Sequence, residues 1–176
     1  ASMPDVSVVI PVCNEDENVL PLAREIHAAL AGRYSFEQIF VDDGSTDKTG
    51  EMVLAARAQG MPEVRLLQHV ARSGQSAAVA TGVRHARGRW IATLDGDGQN
   101  DPADIPKLLA ARDAGEAAVK CYAGWRVDRR DDALKRVSSK IANAVRSRIL
   151  RDATPDTGCG LKLFEREAFL ELPYFD

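Results

Sequence analysis

Asp95, Asp97 and Gln99 stand at i, i+2 and i+4 in IATLDGDGQNDP, where an apolar run breaks into polar residues. Extended residues at i and i+2 point the same way, so the two carboxylates can share one side of the chain. Oxygen-only donors suit Mg²⁺ or Mn²⁺ rather than Zn²⁺. Gly96 and Gly98 let a ligand come close to the backbone. The same residues also make an ordinary turn, since Asp and Gly are frequent turn formers. Two other clusters share that ambiguity. Pro11-Val12-Cys13-Asn14-Glu15 could simply open a helix. After Asp42-Asp43-Gly44-Ser45, Ser45 or Thr46 could cap the next helix, with Asp47 favourable near its N-terminus.

What separates a site from three turns is whether the fold brings the clusters together. The continuous β-branched run 6–12 (VSVVIPV) reads as a strand buried on both faces, and 36–45, 64–70, 89–95 and 117–125 read as further strands. Segments 19–32, 46–60, 74–88 and 104–115 have helical spacing, with Gly32 and Gly60 read as the stops of the first two. Strands alternating with helices predict an α/β fold, a doubly wound and mostly parallel sheet flanked by helices. Ligands of such sheets bind outside the carboxyl ends of the strands. The three polar clusters end the first, second and fourth strands, so all three fall on one sheet edge. That convergence favours a single site.

Composition sets the outer bounds. The chain has 176 residues, 45% hydrophobic and 28% charged, which suits one globular domain over 1–176. No run of about 18 apolar residues is present to span a membrane, and no signal-peptide pattern precedes VSVVI. Cys13, Cys121 and Cys159 are odd in number and lack CxxC spacing, so they read as reduced thiols. The net charge of −3 conceals a basic block: residues 120–151 hold 10 Lys/Arg and 3 Asp, against 11 Lys/Arg and 17 Asp/Glu in residues 1–119. Such a block is a solvated face or meets an anionic partner. No interleaved aromatics mark it for nucleic acid. Residues 133–151 read as an amphipathic helix, with Leu134, Val137, Ile141, Val145 and Ile149 as its stripe. His27, His69 and His85 have no ligand spacing and read as structural or surface residues.

Taken in order, VVIPVCNEDENV, FVDDGSTDKT, ARSGQSAAVATGVRHARG and IATLDGDGQNDP resemble glycosyltransferase family 2, and within it the polyprenyl- or dolichyl-phosphate sugar synthases. Gly124-Trp125-Arg126, residues 138–143 and the run from Asp156 to Phe164 continue the resemblance. It implies a GT-A nucleotide-binding fold, a nucleotide-diphosphate sugar donor, a divalent cation (Mg²⁺ or Mn²⁺) and inversion at the anomeric carbon. Pro11, Cys13 and Glu15 match nucleoside-pocket positions; Cys13 stands where tyrosine is frequent. Val41 and Asp43 match positions that hold base and ribose. Asp95, Gly96 and Asp97 match the acidic donor- and metal-binding motif, and Gln99 a further metal ligand. Arg126 matches an arginine that engages phosphate, and Ser138 lies where the acceptor phosphate is met. Gln75 replaces a common lysine; Arg72, two residues earlier, is a nearby cation. The chain stops at Asp176, short of the acceptor-side or membrane segments usual in this family, so a catalytic domain without its C-terminal continuation is expected.

A phosphate monoester acceptor is already nucleophilic at neutral pH, since its second pKa is about 6. It needs cations rather than a base, and Arg126, Arg129, Arg130, Lys135 and Arg136 are close in sequence. A polyprenyl phosphate acceptor is therefore expected, met peripherally at the cytoplasmic face of the membrane. A saccharide or lipid hydroxyl is the alternative acceptor, with Asp156 as its candidate base. Two remote readings are a Mg²⁺-binding receiver-type domain and a non-catalytic nucleotide-sugar binding module. The receiver reading fits poorly, because its acidic pair normally follows the first strand.

Overall fold

The computed structural model describes residues 3–94, 101–114, 121–124, 134–137 and 161–170. Within them the chain runs β1 (Val6–Val12), α1 (Asp16–Leu30), β2 (Phe36–Asp43), α2 (Thr49–Ala58), β3 (Val64–His69), α3 (Gln75–His85), β4 (Trp90–Thr93), α4 (Asp104–Ala114), β5 (Cys121–Gly124), β6 (Leu134–Val137), β7 (Lys162–Glu165) and α5 (Arg166–Leu170). The strands form one seven-stranded sheet in the order β3-β2-β1-β4-β7-β5-β6. β1 pairs in parallel with β2 and β4, and β2 with β3. β7 runs antiparallel to both β4 and β5, which leaves β5 aligned with β4. Five strands therefore share one direction, in a mostly parallel sheet.

β1 is central because its sequence suits burial on both faces. Val6, Val8, Ile10 and Val12 pack with α1, α2 and α4 on one side of the sheet. Val9 packs with Ile39, Val41 and the α3 residues Ala78, Val79 and Val83 on the other. The alternation follows the period of two in an extended chain. Gly82 explains why α3 lies so close: a Cβ there would fall 2.4 Å from Val9 Cγ1. Pro11 is tolerated in this central strand for a specific reason. Val9 accepts the Leu94 N–H on the β4 side at 3.1 Å, and the β1–β4 ladder stops at Val9↔Thr93. Pro11, two residues on, has no N–H to donate to the next rung, and among the described residues the β1–β4 pairing ends there.

The order reverses at β1. β2 and β3 lie to one side of it and β4 to the other, which makes the β1–β4 boundary a topological switch point. At the opposite, N-terminal ends of the strands lies a closed polar knot. Glu37 accepts hydrogen bonds from Ser7 Oγ (2.6 Å), the Arg87 N–H (2.7 Å) and Arg65 Nη1 (2.8 Å). Nearby, Arg112 makes two 3.0 Å bonds to Asp5 and lies over the Tyr34 and Trp90 rings.

Two expectations are corrected. Residues 134–137 are not the start of an amphipathic helix but an edge strand on β5. Leu134 and Val137 satisfy helical spacing, yet four residues give too short a pattern to outweigh the backbone partners that β5 offers. Lys135 and Arg136 are residue types that protect an exposed edge. The remainder, 138–151, lies outside the described residues. Ser45 and Thr46 also do not cap α2. The N-cap position is Lys48, which makes no side-chain cap bond; Asp47, one residue earlier, accepts the Thr49 N–H at 2.9 Å, while Ser45 and Thr46 bond the turn after β1.

Candidate functional site

The turns following β1 and β2 are built as one unit. Asn14 adopts a left-handed backbone (φ 55°), which Asn tolerates better than most residues. Its N–H donates to Ser45 Oγ (2.9 Å), and its Oδ1 accepts the Thr46 N–H (2.9 Å). The Glu15 N–H donates to Thr49 Oγ1 (2.9 Å), and Asn18 Nδ2 donates to Glu15 Oε2 (2.6 Å). Cys13, a half-buried free thiol, lies between these anchors. Asp42 Oδ1 accepts the Ser45 N–H at 3.0 Å. Hydrogen bonds thus fix the relative placement of Cys13-Asn14-Glu15 and Asp42-Asp43-Gly44-Ser45.

Asp43, only 4% exposed, organises the next layer. Its Oδ1 accepts from His69 Nδ1 (2.8 Å) and from the Ser73 N–H (2.8 Å). Its Oδ2 accepts the Gly74 N–H at 2.9 Å. Burial pushes the Asp43 carboxyl up, but the His69 bond and the two backbone donors outweigh it and hold the group below the usual carboxylate value. The partners follow from the sheet, since β2 and β3 end in register at Asp43↔His69. The far side of the ring, His69 Nε2, meets Thr81 Oγ1 of α3 at 2.8 Å. Gly44 completes the contact. Its φ is +73°, and a Cβ there would fall 2.6 Å from the Arg72 backbone N. The exposed segment Ala71–Gly74 therefore closes directly over the end of β2.

An open groove of about 620 Å³ runs along the other flank of this end, lined by Asp16, Asp42, Asp47, Glu51 and Gln68 among others. The Thr49 hydroxyl, followed by backbone N–H donors, holds the exposed Asp47 carboxyl below its usual value, so it stays charged at neutral pH. Four carboxylates against one lysine, Lys48, leave this flank net negative and unfavourable to a polyphosphate. The opposite flank, toward Arg72 and β4, has no such barrier among the described residues.

The structure brings Pro11, Cys13, Glu15, Val41 and Asp43 to one edge of the sheet. Pro11 and Val41 are buried register partners, and Cys13, Glu15 and Asp43 cluster at the strand ends. Leu94, buried, is the last described residue before the acidic motif. Asp95, Gly96, Asp97 and Gln99 lie outside the described residues, as do Arg126, Ser138 and Asp156. His69, Thr81, Ser73 and Gly74 were not among the sequence candidates. Matching the ends of neighbouring strands would have pointed to His69; the two backbone donors leave no sequence signal.

This architecture, with polar chemistry beside the switch point, is that of the GT-A glycosyltransferases. The chain belongs to glycosyl transferase family 2, whose pattern matches residues 7–172. It is 38% identical over 164 residues to the dodecaprenyl-phosphate galacturonate synthase of Rhizobium johnstonii, covering 91% of this chain and 47% of that protein. It is equally 38% identical over 164 residues to the undecaprenyl-phosphate 4-deoxy-4-formamido-L-arabinose transferase of Klebsiella pneumoniae, covering 92% and 49%. The chain thus spans about half the length of these curated relatives. Among solved structures, a mannosyltransferase from Pyrobaculum calidifontis in complex with GDP-Man and Mn²⁺ superposes with a TM-score of 0.65 at 22% identity, over 95% of this chain and 46% of that one. Glucosyl-3-phosphoglycerate synthase from Mycobacterium tuberculosis, in complex with UDP, gives 0.64 at 22% identity, over 93% and 57%.

Proposed function

We propose that this chain is the donor-binding portion of an inverting glycosyltransferase that moves a sugar from a nucleoside diphosphate to a polyprenyl phosphate. The observation that carries the reading is the meeting of the β1 and β2 ends beside β4, whose chain runs on into Asp95-Gly96-Asp97-Gly98-Gln99. The names of the two polyprenyl-phosphate relatives support the acceptor class.

In this reading Pro11, Cys13, Glu15, Val41 and Asp43 receive the nucleoside. Asp95, Gly96 and Asp97 receive the donor diphosphate, and Asp95, Asp97 and Gln99 are an all-oxygen donor set that fits Mg²⁺ or Mn²⁺. A divalent cation held there would neutralise charge on the departing diphosphate. An oxygen of the acceptor phosphate attacks the anomeric carbon while the carbon–oxygen bond to the nucleoside diphosphate breaks. Arg126 steadies phosphate, and Ser138 orients the acceptor. No general base is required, because the attacking phosphate is already ionised. Asp156 is then not needed as a base.

No helix among the described residues is long and apolar enough to cross a membrane. The basic block at 120–151 offers peripheral attachment to the anionic cytoplasmic leaflet. Each cation near such a surface contributes up to about 1 kcal/mol, screened by salt. Attachment through this portion should therefore weaken as salt rises.

The test uses full-length protein, radiolabelled nucleotide sugars and a short-chain polyprenyl phosphate. Formation of an acid-labile lipid-linked sugar, lost in Asp97→Ala, is the expected outcome. Transfer only to hydroxyl acceptors, with dependence on Asp156, would overturn the assignment.

A further inference from the structure

We infer that His69 is a positioning residue for the donor site: it holds the Asp43 carboxylate so that one acceptor position on Oδ2 stays open for a nucleoside donor group. The inference rests on the reading of Asp43 as a nucleoside contact.

An ionised carboxylate offers about four lone-pair positions. Two belong to Oδ1, and His69 Nδ1 and the Ser73 N–H fill them, each at 2.8 Å. The Gly74 N–H, at 2.9 Å, fills one on Oδ2. Among the described residues this leaves a single position, and it is on Oδ2. A ribose hydroxyl or a base N–H is the group that such a position accepts.

The imidazole is suited to hold this arrangement. A carboxylate cannot donate, so Nδ1 carries the hydrogen. In the neutral ring Nε2 then accepts from the Thr81 hydroxyl at 2.8 Å. Both ring nitrogens are engaged, and the side chain is only 16% exposed. Thr81 stands next to Gly82, where α3 lies closest to β1, so the outer end of the bridge is on a tightly seated helix. The other two donors to Asp43 come from the exposed segment Ala71–Gly74. A loop that must admit a ligand is a poor fixed reference for the carboxylate. The β3–α3 bridge holds the carboxylate from two regular elements instead.

Calorimetric titration of full-length protein with UDP and with GDP, each with Mn²⁺, tests this alongside melting temperatures. Asp43→Asn should weaken the better-bound nucleotide about tenfold, as expected for a lost hydrogen bond to a charged group. His69→Leu should weaken it about five- to tenfold. The double variant should bind no more weakly than Asp43→Asn, because His69 acts through Asp43. His69→Asn, whose Nδ2 takes nearly the place of Nδ1, should restore affinity to within about threefold of wild type. Unchanged affinity with a lowered melting temperature in His69→Leu would reduce His69 to a structural part while sparing the Asp43 reading. Equal failure of His69→Asn and His69→Leu would remove the hydrogen bond as the cause. Additive losses in the double variant would place the action of His69 elsewhere. Unchanged affinity in Asp43→Asn, or no binding by wild type, would sink the nucleoside reading and this inference together.

Discussion

β2 carries buried carboxylates at both ends, and Glu37 and Asp43 are held in different ways. Glu37, at the N-terminal end, faces the Arg65 guanidinium at 2.8 Å and that of Arg87 at 3.5 Å, with Ser7 Oγ and the Arg87 N–H as further donors. Asp43, at the C-terminal end, is held by an imidazole and two loop amides. Each is only 3–4% exposed. Burial raises both carboxyls, and their hydrogen bonds more than reverse it, so each lies below its ordinary value. The difference is in the compensation. The guanidiniums bring positive charge to Glu37 and close that end. Among the described residues, the His69 imidazole and two backbone dipoles stabilise Asp43 with no guanidinium against it, and one acceptor position is left over. The first arrangement serves the fold, whereas the second can serve the fold and a ligand together.

The largest effect should come from breaking the closed end. Glu37→Leu strands the Ser7 hydroxyl and the Arg87 N–H and leaves Arg65 without its carboxylate. Removing one partner of a buried ion pair costs about 3–5 kcal/mol, and the solvent contact kept by Arg65 and Arg87 places this loss near the lower end. Urea unfolding should show a loss of that size, with nucleotide affinity of the remaining folded protein unchanged. A parallel drop in affinity would show that the two ends are not separable.

Next in size is a change at the open end. Gly44→Ala forces an L side chain into φ +73° and drives its Cβ against the Arg72 backbone. The left-handed backbone alone costs about 1–2 kcal/mol, and backbone cannot yield as a flexible side chain can. The Ala71–Gly74 segment must lift, taking two of the three donors away from Asp43. We expect a stability loss smaller than that of Glu37→Leu, together with weaker nucleotide binding. Calorimetric titration against UDP and GDP measures the second part, and intact affinity would mean that the loop contact is not used in binding.

The same contrast explains what could be read from the sequence. VSVVIPV declares a buried central strand because the burial signal is carried by each residue. The strand ends, and hence the shared edge of Cys13, Glu15 and Asp43, follow from that order. His69 is a different case. Its partner is 26 positions away, and its role exists only once β2 and β3 are in register. The donors of Ser73 and Gly74 are backbone groups, which every non-proline residue has. The short strands were hardest. Leu134–Val137 has a helix-compatible spacing, and Lys162–Glu165 is a four-residue run whose antiparallel place between β4 and β5 is decided by pairing alone. Local pattern names an element well when it is long and buried. It names short edge elements poorly, because their partners set their conformation.

The smallest effect, and the one that tests both ends at once, is the response to acid. Both carboxyls are depressed in the folded protein, against about 4.3 for Glu and 3.9 for Asp in an unfolded chain. A depressed group contributes stability that is complete above the unfolded value and is lost as pH falls through the folded one. Urea midpoints should therefore hold steady from about pH 7 to pH 5 and decline below that. Partial protonation near the unfolded value removes only part of each contribution, so this effect is smaller than either substitution. Glu37→Gln and Asp43→Asn should each flatten the decline, and the double variant should flatten it most. Nucleotide affinity separates the two groups. It should fall only below about pH 4, where the depressed Asp43 carboxyl begins to protonate in the folded protein, apart from titration of the nucleotide itself. That fall should persist in Glu37→Gln and shrink in Asp43→Asn. An affinity profile that instead followed Glu37 would reverse the roles assigned to the two ends of β2.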